Sequence, residues 1–188
     1  MIFKVDVLSP FKGVFQLFID LLPYTGVSFV LSLFYLRWMF LKRGRALVVV
    51  GMGNFGVVVG VVGVGVWSYY VGLIPPVGIV LIVMILGFLF FVNKIGKELW
   101  NFDSHVRPLA FSFGIPEGSY TWSYLFFRKG LWSLIYNFIL FQFAISFTMW
   151  MAFVLCLRFL DTIMWLFVLF VFLGVLQGIR DYAILKRC

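Results

Sequence analysis

The sequence predicts an all-α fold, a polytopic transmembrane helical bundle with about five crossings. The first observation is segment 46–93, which has no charged side chain and is interrupted by Pro75 and Pro76. A helical crossing needs about 20 apolar residues, so this segment can hold two crossings joined by a turn. The second observation is the composition, with 64% hydrophobic and 12% charged residues, against roughly 25% charged in soluble domains. A single integral membrane domain is expected.

The apolar runs set the order of the predicted elements. We expect crossings at 14–36, 46–71, 77–93, 122–148 and 151–179, with a polar loop at 94–121. Asp20 and Pro23 fall inside the first crossing, and a proline is tolerated in a membrane helix where neighbours satisfy the freed carbonyl. The last boundary is weakly marked, because no glycine or proline lies between Gly130 and Arg158. The break is expected either near 146–150 or near 158–161.

The second crossing is rich in valine and glycine. Gly56 and Gly60 form a small-xxx-small pair, the spacing that lets two membrane helices approach closely. Trp67 and Tyr70 close the run and are typical of the aromatic belt at a membrane interface. We therefore predict that the two glycines are helix-packing positions and that the two aromatic residues contact lipid headgroups.

The net charge of +8 could indicate nucleic-acid binding. However, the basic residues form short clusters between apolar runs, where such residues anchor helix ends in the membrane interface. The first cluster consists of Arg37, Lys42, Arg43 and Arg45, for which we expect contacts with lipid headgroups. Nucleic acid is therefore not an expected partner.

Arg158 and Asp161 are the strongest candidates for an intramembrane ion pair. Their i, i+3 spacing would place both side chains on the same face of a helix. Charges inside a bilayer are usually paired or functional. The alternative is that both residues lie in a solvated turn between two crossings, and the sequence leaves the two possibilities open.

No catalytic or metal-binding pattern is present. The chain has one histidine, His105, so no pair of histidines can hold a haem or a copper ion. Its two cysteines, Cys156 and Cys188, lack a metal-ligand spacing. We expect no catalytic residue, no metal site and no directly bound cofactor other than structural phospholipid.

Five segments resemble one family in the order in which that family carries them. They are Val5–Phe11, Gly51–Pro75, Leu86–Trp100, Phe113–Tyr120 and Arg158–Phe167. The first reads Val-Asp-Val-Leu-Ser-Pro-Phe, the fourth contains Ile-Pro-Glu-Gly-Ser-Tyr, and the fifth begins Arg-Phe-Leu-Asp. With these segments the chain resembles a shortened, divergent subunit III of mitochondrial cytochrome c oxidase, with about two of the family's helices missing.

The resemblance implies a non-catalytic core subunit in the mitochondrial inner membrane. Such a subunit packs against the catalytic subunit, binds phospholipid and supports proton uptake. The family's buried glutamate falls near Val59, which weakens a proton-antenna role for this chain. The many phenylalanine, glycine and tryptophan residues are also typical of organelle genes rich in T and G.

Two alternatives remain open at the level of sequence. One is the proton-channel stator subunit of a mitochondrial ATP synthase, with Arg158 as its membrane arginine. The other is a small membrane-arm subunit of NADH dehydrogenase. In each case the chain would be part of a large membrane complex and would have other subunits and phospholipids as partners.

Overall fold

Five α-helices account for nearly all of the structure. The computed structural model describes residues 9–43, 54–114 and 128–185. The helices are α1 Pro10–Arg43, α2 Phe55–Tyr70, α3 Pro76–Ser112, α4 Arg128–Arg158 and α5 Leu160–Leu185. No strand occurs within these described ranges. The predicted all-α helical bundle is confirmed.

Four helices are long and apolar enough to cross a membrane, and the chain is a membrane protein. Their candidate spans are Pro10–Met39, Pro76–Leu99, Gly130–Arg158 and Ile163–Arg180. The fifth helix, α2, is equally apolar but has 16 residues, which makes about 24 Å of helix against a hydrocarbon core of about 30 Å. Within the predicted crossing at 46–71 the structure describes the helix Phe55–Tyr70, and 46–53 lie outside the described residues.

Contacts between α1, α3 and α4 fix their directions. Phe29 and Thr25 of α1 meet Phe138 and Gln142 of α4, so the numbering rises in one helix as it falls in the other. The same holds for α3 and α4, where Phe91 contacts Phe138 and a later residue of α3, Glu98, contacts an earlier residue of α4, Ser133. Consequently α1 and α3 run in the same direction and α4 runs against both.

The tight turn between α2 and α3 follows from its glycine and prolines. Gly72 adopts φ of +81°, a left-handed conformation that glycine reaches without steric cost. Its N–H donates to the Tyr69 carbonyl, and the Leu73 N–H donates to the Ser68 carbonyl. This pair of hydrogen bonds is the Schellman arrangement that ends a helix. Pro76 then begins α3, a first helical position at which its missing N–H is no loss.

An aromatic cluster fills the space between α1, α3 and α4. Phe91 packs edge-on against Phe29 and Phe141, each with ring centroids 5.0 Å apart. Phe90 lies 4.9 Å from Phe141 in a tilted arrangement. Edge-to-face pairs at these distances are favourable because the ring edge is positive and the ring face negative. The cluster joins the three helices at one level of the bundle.

The predicted polar loop at 94–121 is wrong over its first part. Helix α3 continues without interruption to Ser112. Its 37 residues correspond to about 55 Å, far more than a crossing requires. Polar residues in this segment therefore mark a helix that extends beyond its apolar span, which ends at Leu99. Residues 115–121 lie outside the described part of the chain.

The helix break falls at the alternative position near 158–161, and the predicted boundary between 148 and 151 is wrong. Helix α4 passes through these positions and ends at Arg158, and α5 begins at Leu160. The backbone stays hydrogen-bonded across the junction, because the Phe159 N–H donates to Leu155 and the Ile163 N–H to the Phe159 carbonyl. Because no glycine or proline lies between Gly130 and Arg158, this part of α4 has no residue that would end the helix earlier.

Candidate functional site

A small number of polar side chains are buried in the apolar interior. The set is Thr25, Ser28, Ser32, Asn93, Gln142, Ser146 and Thr148. Four of them, Thr25, Ser28, Gln142 and Ser146, lie between α1 and its neighbours α3 and α4, and we call these four the polar seam. Each of the four is at most 1% exposed. In lipid such groups must find partners inside the protein.

Gln142 is the centre of the polar seam. Its Nε2 donates to the Phe18 carbonyl of α1 over 2.6 Å. Since a carbonyl can only accept, the Nε2 side of the amide must face Phe18, and its Oε1 must face Thr25. The Thr25 hydroxyl donates to this oxygen at 2.5 Å. Both ends of the amide are thus satisfied by α1, and the two helices are joined by two hydrogen bonds.

The polar seam lies beside the proline of α1. Pro23 is inside the helix and has no N–H to donate to the carbonyl of Ile19. One residue earlier, the Phe18 carbonyl receives the Gln142 amide, and Thr25 Oγ1 lies 3.1 Å from the Leu21 carbonyl. Both contacts lie beside the Ile19 carbonyl that the proline leaves without its donor.

Ser28 joins α1 to α3. Its hydroxyl lies 2.9 Å from the Met84 carbonyl of α3 and 3.0 Å from the Tyr24 carbonyl of its own helix. Opposite it, a Cβ added to Gly87 would lie 3.2 Å from the Ser28 Cβ. Small side chains on both helices therefore permit a close approach. Ser146 completes the seam with a hydrogen bond to the Gln142 carbonyl on α4.

A second polar cluster joins α3 to α4 near the end of the α3 span. The Ser133 hydroxyl donates to Glu98 Oε2 at 2.5 Å. Asn137 Nδ2 in turn donates to the Ser133 carbonyl at 2.9 Å. Asn93, one turn before Glu98, is 1% exposed, and its Oδ1 has no hydrogen-bond partner among the described residues.

The predicted packing glycines lie at the interface between α2 and α5. A Cβ on Gly60 would lie 2.7 Å from the Phe167 carbonyl, and one on Gly56 would lie 3.2 Å from the Gly174 Cα. Gly63 meets the ring of Phe167 in the same way. Gly63 and Gly174 were not predicted as packing positions. Gly63 lies three residues after Gly60 and Gly174 lies seven residues after Phe167, so each shares a helix face with a residue of the interface. This is the most extensive contact between any two helices of the described bundle.

Arg158 and Asp161 lie on consecutive helices. Arg158 is the last residue of α4 and is exposed, whereas Asp161 belongs to the first turn of α5. The helix break at Phe159 separates them, so they do not share one continuous helix. The Asp161 side chain is outside the described part of the structure, so the ion pair itself stays a prediction.

The predicted headgroup residues lie at opposite ends of the bundle. Arg37 is exposed near the end of α1. Trp67 and Tyr70 are half-buried at the end of α2, where Tyr70 contacts the Phe153 ring of α4 at 5.8 Å. The side chains of Lys42 and Arg43, and all of Arg45, lie outside the described residues. Any contacts with headgroups would therefore involve both membrane surfaces.

Two apolar grooves open on either side of a ridge formed by Phe143 and Phe147 of α4. One, of about 370 Å³, lies against the beginning of α1 and is also lined by Phe11 and Phe15. The other, of about 470 Å³, lies between α2, α4 and α5 and includes Val59. Both are lined almost wholly by carbon atoms, the lining that suits an acyl chain.

The polar groups of the seam are neutral and hold the helices in position. Hydroxyls and amides make up the polar seam, and none of these titrates near neutral pH. Within the described residues no three His, Cys, Asp or Glu side chains come together to hold a metal ion. The side chain of His105 lies outside the described part of the structure.

Comparison with known proteins gives no match. No family model fits the chain, and no curated protein and no solved structure is similar to it. The function proposed for the chain therefore rests on its own residues.

The polar seam was not predicted from the sequence, although the spacing of its residues indicates it. Thr25, Ser28 and Ser32 recur at i, i+3 and i+7 in an apolar run, which places them on one face of α1. Gln142 and Ser146 share a face of α4 for the same reason. Such stripes predict an interface between membrane helices.

Proposed function

We propose that this chain is a non-catalytic membrane subunit of a respiratory-chain complex, similar to subunit III of cytochrome c oxidase. In this proposal it resides in the mitochondrial inner membrane, packs against the catalytic subunit, binds phospholipid and supports proton uptake. The choice of this complex rests on the five ordered sequence segments that resemble the subunit III family. The choice of a structural role rests on the surface and the interior of the helical bundle.

The observation that carries the proposal is the outward surface of α1 and α5. Large apolar side chains project from both helices, among them Phe15, Phe34, Trp165 and Phe172, all more than half exposed. Helix α5 packs chiefly on α2 and hardly on α4. A bundle whose terminal helices keep so much free surface is suited to docking beside other membrane helices and lipids.

The interior supports a scaffold for a different reason. In the described residues the hydroxyls of the polar seam and the Gln142 amide are used in hydrogen bonds between helices or within them, and aromatic rings pack beside them. A proton channel or a transporter would instead need polar groups converging on an aqueous path. The interior thus favours a structural role.

Phospholipid is the expected ligand, and the two grooves beside Phe143 and Phe147 are the proposed acyl-chain sites. Their apolar lining fits a hydrocarbon tail, and the exposed side chains of Phe143 and Phe147 border both. A second candidate function, the stator subunit of an ATP synthase, is not favoured. Its essential arginine would have to lie inside the membrane, whereas Arg158 is the last residue of the apolar span of α4.

The proposal is tested by affinity purification of the tagged full-length chain in a mild detergent. A visible spectrum and a mass-spectrometric inventory are then recorded on the same sample. Haem absorbance together with oxidase subunits would support the proposal. An inventory of NADH dehydrogenase or ATP synthase subunits, or a particle without haem, would overturn it.

A further inference from the structure

One face of α1 points away from the bundle and carries a polar group well inside its candidate span. Along this face Phe15, Ile19, Leu22, Val27 and Phe34 are 45–66% exposed. Asp20 lies on the same side, and its Oδ1 accepts a hydrogen bond from Gln16 Nε2 over 3.2 Å. Asp20 is ten residues beyond Pro10, about 15 Å along the helix axis.

A third polar group lies next to this pair. Pro23 has no N–H to donate to the Ile19 carbonyl, and both residues are exposed on the outward face. Gln16, Ile19 and Asp20 together form what we call the outward polar patch. It presents a carboxylate, an amide and a backbone acceptor on an otherwise apolar surface.

The surroundings of the outward polar patch differ from those of Glu98, the other described acidic residue inside a candidate span. Glu98 is held within the bundle by the Ser133 hydroxyl of a neighbouring helix. Among the described residues, Asp20 has a hydrogen bond only with Gln16 of its own helix. The basic residue of α1 closest in sequence, Lys12, is eight residues away, about 12 Å along the axis. A carboxylate in a membrane is costly unless a partner charge reaches it.

We infer that the outward polar patch binds a transmembrane helix of a partner subunit through an Arg or Lys side chain. The inference rests on the proposed function, because it requires the chain to be part of a complex. A cation would pair with the Asp20 carboxylate and donate further hydrogen bonds to the Ile19 carbonyl. Charge-assisted hydrogen bonds of this kind are the strong ones. An acyl chain offers neither charge nor donor, so charge complementarity selects a cationic helix.

The test uses photocross-linking of the full-length chain in its native membrane complex. A photoreactive amino acid replaces Ile19, and a control replaces Leu169, an outward position of α5 with similar exposure (55% against 51%). The expected product at position 19 is one partner polypeptide, joined in a transmembrane segment within one turn of an Arg or Lys. Products with lipid alone, or with a segment lacking a basic residue, would overturn the inference.

Substitutions at Asp20 separate charge from shape. In Asp20→Asn the position-19 cross-link yield should fall about tenfold, the size expected for losing a hydrogen bond to a charged group. Asp20→Glu should keep the yield, and the position-169 yield should be the same in all three forms. Asp20 is half-buried and bonds to Gln16 of its own helix, so helix content should not change. An unchanged yield in Asp20→Asn would overturn the inference.

The outcomes also separate this inference from the proposed function. If the chain purifies with haem and oxidase subunits but position 19 marks only lipid, the proposed function stands and the partner site is wrong. If the chain purifies without a complex, both are wrong.

Discussion

Gln142 of α4 donates a hydrogen bond of 2.6 Å to the Phe18 carbonyl of α1, five residues before Pro23. The same amide accepts a hydrogen bond from Thr25, two residues after that proline. One side chain therefore bridges both sides of the position where the backbone ladder of α1 is interrupted. This relationship makes Gln142 the principal polar link between the two helices.

Gln142→Leu should lower the free energy of unfolding by about 1–2 kcal/mol, near the upper range for hydrogen bonds between membrane helices. The loss arises because the Thr25 hydroxyl and the Phe18 carbonyl stay buried without their partner. Reversible unfolding in mixed micelles, followed by circular dichroism, measures it. The matched control is Gln177→Leu, because Gln177 is exposed on α5. Equal stability of the two variants would contradict the assigned role.

Asn93→Leu is expected to give the opposite result. Asn93 is also buried, but its Oδ1 has no partner among the described residues. Replacing an unsatisfied acceptor by an apolar group of similar size removes a desolvation penalty, so stability should be unchanged or raised by up to about 1 kcal/mol. The same unfolding assay checks this. A loss of stability as large as that of Gln142→Leu would indicate that Asn93 makes a hydrogen bond that stabilises the fold.

Gly60→Ala should loosen the interface between α2 and α5. The new methyl group would lie 2.7 Å from both the Phe167 carbonyl and the Val171 nitrogen, so one helix must shift. Overpacking of this kind typically costs about 1–3 kcal/mol. Gly26→Ala is the control, since nothing lies within 4 Å of its added Cβ. Thermal unfolding in detergent compares the two, and a Gly60 variant as stable as the control would refute the close packing.

Ser133→Ala removes the donor to the half-buried Glu98 carboxylate. A hydrogen bond to a charged group contributes about 1.5–3 kcal/mol, and partial exposure of Glu98 should bring the loss to the lower end. Ser112→Ala serves as control, because Ser112 is exposed and bonds only to its own helix. If both alanine variants unfold at the same denaturant concentration, Ser133 makes no stabilising link between α3 and α4.

Ala144→Phe should fill the groove between α2, α4 and α5 that Ala144 helps to line. Native mass spectrometry of the purified complex should then detect one phospholipid fewer than in the wild-type complex. Leu166→Phe, an outward change on α5 away from either groove, should leave the lipid count unchanged. An identical lipid count in both variants would argue against this groove as an acyl-chain site.

The sequence predicted those features that local chemistry determines. The uncharged run and the Pro75–Pro76 pair correctly placed the turn before α3, because proline restricts the backbone wherever it occurs. The extension of α3 to Ser112 was missed, since polar residues are compatible with a helix that leaves the membrane. The partners of Gln142 could not be foreseen, because they depend on which helices become neighbours.

The central claim is that this chain is a scaffold subunit of a haem-containing membrane complex. The most direct measurement is the mass and visible spectrum of the native particle that contains the tagged chain, after solubilisation in a mild detergent. The expected result is a particle many times heavier than the 21.7 kDa chain, with haem absorbance. A colourless particle with the protein mass of the chain alone would contradict the account.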